Sequence, residues 1–446
     1  MKKLIKLSAL ATSVTLLAGA ASSALGGTVT VVTSFPKELT GIYKTAFEKA
    51  NPSIKLEILN KSTTQGIAYV RELPEGQRPD IFWASAPDAF EVLVGQKLLT
   101  DVAGLANKNA PTKVGNYPIN DPNGMYLGQA LGGYGLMWNT RYMAANKVPA
   151  PAQWSDLTKP VYFRHAAISA PSRSGTTHLT VETMLQGEGW DKGWSQLLQI
   201  GGNAAAITER SFGVPDGVNN GQFGVGLVID FFGLASKYSG FPVEFVYPDV
   251  TAVVPANIAL ISGSKNAEEA KKFISYSVSL EGQQLLLDPK ISRLPILPAS
   301  ALGGKVPAGY PDPFEIAKRA KVNFDSDLSE SRYNVVSALF DQTITFRHKE
   351  LQAATKAIHA ATAALQKKPN ANGQALLKQA RDLAFAPVVG ASLAADKSFL
   401  ALFTANKKDA AANKQMTGLE DRWNAQALNH YERAKTLAEQ ALAAAR

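Results

Sequence analysis

The sequence predicts an α/β protein of two lobes followed by an all-helical C-terminal extension, and three observations carry that prediction. Short β-branched runs alternate with amphipathic segments from Thr28 onward, and the same alternation restarts with its own strands between about Gly132 and Val250. From about Ser331 strand-like runs vanish, and Ala, Leu, Gln and Lys dominate to the end. At 446 residues, 46 % apolar and 19 % charged, the chain is long enough for two or three well-cored domains, and neither disorder nor collagen-like repetition fits.

The N-terminus comes first. Met1 to Lys6 is a basic head, Leu7 to Ala21 a short apolar run, and Ser22, Ser23, Ala24 and Gly26 supply the small residues of a cleavage site. The run is shorter than the ~20 apolar residues of a bilayer span, so residues 1–26 are expected to be a cleaved secretory signal and the mature chain a soluble, exported protein. The absence of cysteine removes disulfides, thiolate metal sites, a cysteine nucleophile and a lipoprotein anchor. A net charge of +9 is only mildly basic, since three of the lysines lie in the first 26 residues.

Thr28 to Thr33 reads as a strand and Pro36 to Ala50 as a helix, with Ser34 at the N-cap, an apolar face through Leu39, Ile42, Tyr43, Ala46 and Phe47, and a stop at Asn51-Pro52. Ile54 to Leu59 is a second strand leading into a polar loop, Asn60 to Gly66. Asp80 to Ala84 is a third, followed by Ser85 and a helix from Asp88 to Gly95. In the second lobe the strands are Ala167 to Ala170, Ala204 to Thr208, Leu227 to Phe231 and Val243 to Tyr247, with a helix from Thr176 to Gln186. Ala252 to Ile261 then reads as a strand and Asn266 to Leu287 as helices. In the tail, Trp423, Ala427, Tyr431, Ala434, Ala438 and Ala441 fall on one helical stripe, with similar stripes in Leu351 to Leu365 and Ala375 to Ala384. Such a tail packs on a lobe or presents a docking surface.

In repeated β-loop-α grammar, ligands sit at the carboxyl ends of strands, where loops enter helices. Ser172 to Thr177 follows a strand and opens a helix, concentrating hydroxyls and free N–H groups where an anion is favoured; ordinary N-capping by Ser174 is the competing reading. Ser34 and Ser85 repeat the device after other strands. Together Ser34, Ser85, Ser174, Gly175, Thr176 and Thr177 are expected to offer neutral donors to one polar ligand. Asp230, at the end of an apolar strand, is either an acceptor for ligand hydroxyls or a helix N-cap, and Phe231 follows it. Arg210 and Ser211 close another strand and could bind an anion or make a surface ion pair.

Enzyme signatures are missing. The five histidines show no HExxH or other metal spacing, there is no GxSxG elbow, and the glycine pairs lack a dinucleotide-loop setting. No metal, cofactor or catalytic residue is expected. Without a basic stripe carrying interleaved aromatics, nucleic acid is not an expected partner.

Residues 28 to 352 resemble the extracellular solute-binding proteins of bacterial ABC importers, in the branch that includes ferric-ion, sugar-phosphate and phosphonate binders. The resemblance rests on Ser34 after the opening strand, Pro79 to Ser85, Ser172 to Thr177, Gly224 to Phe232, and Ala267 to Ile274 followed by Glu281-Gly282-Gln283. It implies a type II periplasmic-binding-protein fold with a hinged cleft, the chain crossing between lobes near Tyr126 to Gly133 and Val250 to Ala256. The implied division is lobe 1 at 27–130 and 256–345, lobe 2 at 131–255, and a helical extension at 346–446, whose part beyond about Leu365 the shorter binders lack. By the same resemblance, Ser174 to Thr177 would grip a phosphate and Asp230 would contact ligand hydroxyls. Ferric binders carry adjacent tyrosines where this chain has Phe231-Phe232, which disfavours iron.

The expected function is therefore a non-enzymatic periplasmic solute-binding component of an ABC importer. It would take a small anionic organic solute, such as phosphoglycerate, a sugar phosphate or a phosphonate, and pass it to an inner-membrane permease. The alternatives are a ligand sensor feeding a histidine kinase, a ferric-ion binder, and a phosphoesterase-like enzyme for which no general base can be named.

Overall fold

The computed structural model describes residues 26–404 and 409–445. The signal-peptide reading thus lies outside the described residues, apart from Gly26.

Two half-sheets share one long strand. The first half runs Lys55–Asn60, Thr28–Thr33, Ile81–Ala84, Val253–Ile261, Leu127–Asn139, the first three strands parallel and Val253–Ile261 antiparallel to both its neighbours. In the second half, Leu127–Asn139 pairs antiparallel with Val225–Ile229, and then come Ala166–Ser169 and Ala204–Thr208, each parallel to its predecessor. Val253–Ile261 pairs with residues 127–133 of the shared strand, and Val225–Ile229 with residues 134–138, so the register changes partner between Gly133 and Tyr134. The strand is rich in glycine because its neighbours come close. A Cβ on Gly135 would lie 2.2 Å from the Val246 carbonyl oxygen.

Most expected elements are present within a residue or two. Ser34 is not an N-cap: the helix Lys37–Ala50 is preceded by Pro36 at that position, with no side-chain cap, because Pro36 opens the turn with its own fixed φ. Ala86, not Ser85, precedes the helix Pro87–Gly95. The helix Thr63–Glu72 begins inside the stretch read as a polar loop, opened by a reciprocal capping box between Ser62 and Gln65. The strand before Asp230 stops at Ile229, and Asp230 is the first residue of the helix Asp230–Tyr238, so Phe231 is helical.

The tail is helical throughout its described length, with long helices His348–Lys367, Ala371–Phe385 and Ala410–Ala444. All six residues of the Trp423 to Ala441 stripe are buried. Their apolar core is continuous with that of the helices Gly175–Glu188 and Trp190–Asn203 in the second half. Polar contacts tie the two together: Trp190 Nε1 donates to the Val389 carbonyl at 2.8 Å, and His359 Nε2 meets Asn203 Oδ1 at 2.7 Å. The tail is thus built into the second half rather than tethered to it.

Candidate functional site

The carboxyl ends of the strands in both halves face one cleft. A chamber there is lined from the first half by Ser34, Phe35 and Pro36, and from the second by Arg173, Ser174, Thr176, Arg210, Ser211, Phe231 and Phe232. Its free volume is about 10 Å³, the space of one water. Through Pro36, Phe231 and Phe232 it adjoins a wider groove of about 430 Å³, whose walls include Lys37, Phe212, Asp216, Phe241 and Lys290.

The sequence-predicted residues divide on inspection. Ser34, Ser174, Thr176, Arg210, Ser211 and Phe231 meet around the chamber. Ser174 Oγ accepts the Thr177 N–H at 3.1 Å, so it caps its own helix while facing the cleft, and Thr177 is turned to that cap. The Gly175 N–H donates to Thr63 Oγ1 of the first half at 3.2 Å. A Cβ on Gly175 would stand 2.7 Å from Ala86 Cβ, so this helix opening touches the opposite half directly. Thr64 Oγ1 donates to the Ser172 carbonyl at 2.9 Å, and Arg210 Nη2 donates to Asn60 Oδ1 at 3.3 Å, completing the bridge across the cleft. Ser85 is not among the residues lining the chamber; its hydroxyl accepts from Arg293 Nη2 at 2.7 Å.

Arg293 is the residue that sequence reasoning missed. Its guanidinium is fully buried between two phenyl rings, its carbon 4.5 Å from the centroid of Phe35 and 4.6 Å from that of Phe231. The rings come from opposite halves, and both line the chamber. Nε and Nη1 have no hydrogen-bond partner. Burial lowers the Arg293 pKa to about 10, opposed by the charge of Asp230, so it remains a cation at neutral pH.

Asp230 is equally buried. Its Oδ2 accepts from the Gly133 N–H at 2.7 Å and from the Tyr247 hydroxyl at 3.0 Å, while Oδ1 has no partner. Burial pushes its pKa up to about 6, and the two donors and Arg293 restrain the rise. The Tyr134 hydroxyl, also buried and unpartnered, feels the charges of both Asp230 and Arg293. One signal for Arg293 was in the sequence: an arginine in the apolar run Ile291-Ser292-Arg293-Leu294-Pro295-Ile296 is out of place unless it has a task.

Hydroxyls, amides and guanidinium groups surround the cleft, and among the described residues no three His, Asp or Glu side chains gather where they could hold a metal ion.

Residues 76–315 match the family described as bacterial extracellular solute-binding protein. The chain is 30 % identical over 390 residues to the phosphoglycerate transport regulatory protein PgtC of Salmonella typhimurium, covering 86 % of this chain and 91 % of that one. Among solved structures, the periplasmic binding protein AfuA of Actinobacillus pleuropneumoniae, with exogenous fructose-6-phosphate bound, superimposes with a TM-score of 0.63 at 17 % identity, covering 72 % of this chain and 99 % of that one. The apo ferric ion-binding protein A of Pasteurella haemolytica does so with a TM-score of 0.56 at 16 % identity, covering 72 % and 98 %. The chain therefore belongs to the bacterial extracellular solute-binding protein family, with a type II periplasmic-binding-protein fold and a helical C-terminal region.

Proposed function

We propose that this protein captures a small anionic organic solute, a phosphate ester or phosphonate, between its lobes in the periplasm and delivers it to an inner-membrane ABC permease. Residues 1–26 serve as its export signal. Lobe 1 comprises 27–130 and 256–345, lobe 2 comprises 131–255, and the extension comprises 346–446. The observation that carries the reading is the convergence of Ser34 from one half with Ser174, Thr176, Arg210 and Ser211 from the other on a single chamber. These groups replace the water around an anion without supplying a general base, and closure follows from the higher affinity of the closed state. Phe231 and Phe232 offer no oxygen to a hard cation such as ferric iron. Isothermal titration of the mature protein, unfolded and refolded to strip carried-over solute, tests the reading with phosphate esters, phosphonates and inorganic phosphate. Saturable one-site binding of an ester or phosphonate supports it, and no heat from any of them refutes the ligand class.

One observation favours a second use of the same fold: the relative of Salmonella typhimurium is named a regulatory protein. In that reading the liganded protein docks on the sensor domain of a histidine kinase. Ligand-dependent pull-down of a sensor domain rather than a permease would support it.

A further inference from the structure

We propose that the cleft opens along one flank only. Residues 323–332 strap the two halves together on the other flank, so the solute enters and leaves through the groove between the helices Lys37–Ala50 and Gly213–Asn219. The inference goes beyond the proposed function and rests on it only in requiring that the halves part.

The strap holds both halves. On the first, Asn323 Oδ1 accepts from Asn116 Nδ2 at 2.9 Å, the Phe324 ring lies 6.3 Å from that of Tyr117, and the helix Ser326–Ser331 packs on the helix Pro87–Gly95. On the second, the Gln186 side chain bonds twice to the Asp325 backbone, donating to its carbonyl at 3.0 Å and accepting from its N–H at 2.8 Å. Arg332 is bidentate on Glu182 at 2.8 and 2.7 Å. Ser329 stands between, its Oγ donating to Asp88 Oδ2 of the first half at 2.8 Å and lying 3.3 Å from His178 Nε2 of the second. This clasp is buried, and beyond it the chain enters the helix Tyr333–Phe340, which shares the core of the helices Gly175–Glu188 and Trp190–Asn203.

The apolar cores show the same asymmetry. Alternate residues of a strand face opposite sides of a sheet. Phe82 of the first half and Ile168 of the second point into one continuous core on the strap's side, so parting the halves there would expose it to water. Their neighbours Ile81 and Ala167 point into two separate cores on the other side. Leu39 and Phe47 of the helix Lys37–Ala50 belong to the first of these, Val214 and Val218 of the helix Gly213–Asn219 to the second. The groove of about 430 Å³ runs between those two helices, and an exposed bond from Arg210 Nη2 to Asn60 Oδ1 at 3.3 Å bridges it. Burial and then the charge of Glu38 raise the Asp216 pKa, so like charges from the two halves face each other across the groove. Separation breaks a core on one flank and little on the other, which makes the strap the pivot.

Pulsed electron paramagnetic resonance on two spin-labelled double-cysteine variants of the cysteine-free mature chain tests this, all substitutions being at exposed positions. Gln96→Cys with Lys192→Cys spans the strap flank, and Thr45→Cys with Asn220→Cys spans the groove flank. Each protein is unfolded and refolded to strip carried solute and checked for a cooperative thermal transition. The expected result without added solute is one narrow distance for the strap pair and, for the groove pair, a distribution reaching several ångströms beyond the distance in the structure. Adding Gln186→Ala and Ser329→Ala to the strap pair should widen its distribution, and an unchanged width would contradict a strap. A strap pair that spreads as widely as the groove pair overturns the one-sided opening while leaving the reading of the cleft intact. A single narrow distance for both pairs overturns it as well, and in that case the halves do not part, so closure on a solute fails with it.

Discussion

Two buried polar clusters lie between the halves of this molecule, and they are finished to different degrees. At the first, Asp88 from the helix Pro87–Gly95 meets His178 and Glu182 from the helix Gly175–Glu188, with Ser329 and Arg332 closing over them. Ser329 Oγ donates to Asp88 Oδ2 at 2.8 Å, Arg332 holds both oxygens of Glu182, the Arg332 guanidinium lies 5.1 Å from the Trp190 ring, and His178 packs on Tyr333. At the second, Arg293 and Asp230 each retain unpartnered atoms. In the first cluster the ion pair Arg332–Glu182 is fully matched, although His178 Nδ1 and the Tyr333 hydroxyl have no partner; in the second, the charged groups themselves keep unpartnered atoms. Burial alone does not distinguish structure from function here. The difference lies in whether the charged groups are paired with each other.

The sharpest break in that comparison is to remove one arginine from each cluster. Arg332→Met leaves Glu182 buried without its partner and should cost about 3–5 kcal/mol in urea unfolding, most of it recovered by the double change Arg332→Met/Glu182→Leu. Arg293→Met should cost less than half as much as Arg332→Met. Equal losses would mean that Arg293 is as structural as Arg332.

A smaller effect should appear in the pH profile of stability. Burial raises the Asp88 pKa to about 7, with Glu182 adding to the rise and Ser329 and the Ala89 N–H opposing it. The folded value lies above the ordinary carboxylate value, so the group's contribution is full below about pH 4 and lost as pH climbs through 7. His178 runs the other way: burial and Arg332 depress its pKa to about 3, which keeps it neutral despite its 3.3 Å approach to Asp88. Asp88→Asn has no carboxyl to ionise, so its urea midpoint relative to wild type should increase between pH 5 and pH 8. A constant difference would contradict the raised value.

In the second cluster the pKa of Asp230, raised to about 6, puts the change in binding rather than in the clasp. Affinity for a hydroxylated ester should fall several-fold as pH drops from 7.5 to 5.5, because a protonated carboxyl is the poorer acceptor. Asp230→Asn should bind more weakly at pH 7.5 and show a flatter profile once the ester's own titration is subtracted. The smallest change is Gly175→Ala. Its methyl group would meet Ala86 and Thr63 across the cleft, so affinity should weaken a few-fold while the melting temperature stays within ~2 °C.

The fold was legible where its signal is local. Strand-helix alternation and the Trp423 to Ala441 stripe follow from side-chain periodicity, which the sequence displays directly. The helix Thr63–Glu72 was missed because its polar opening, Thr63-Thr64-Gln65-Gly66, looks like a loop, although the Ser62 and Gln65 capping pair was there to read. The site was only half legible. Hydroxyls at helix starts announce themselves, but Arg293 sits in an irregular, proline-bearing stretch and meets Ser85 across 208 positions of chain. Asp230 and Gly133 are likewise 97 positions apart. Contacts of that range leave no periodic trace, so the charges that complete the site emerge only when the chain is folded.

The central claim is that the two halves close on an anionic ester. Because the chain has no cysteine, a variant with Lys49→Cys in the first half and Arg141→Cys in the second, both exposed positions, carries two spin labels and no others. Pulsed electron paramagnetic resonance on this protein, with and without saturating 3-phosphoglycerate, reads the distance between the halves. The ester should collapse a broad distribution to the single distance set by the closed halves. The same distribution with and without the ester would contradict it.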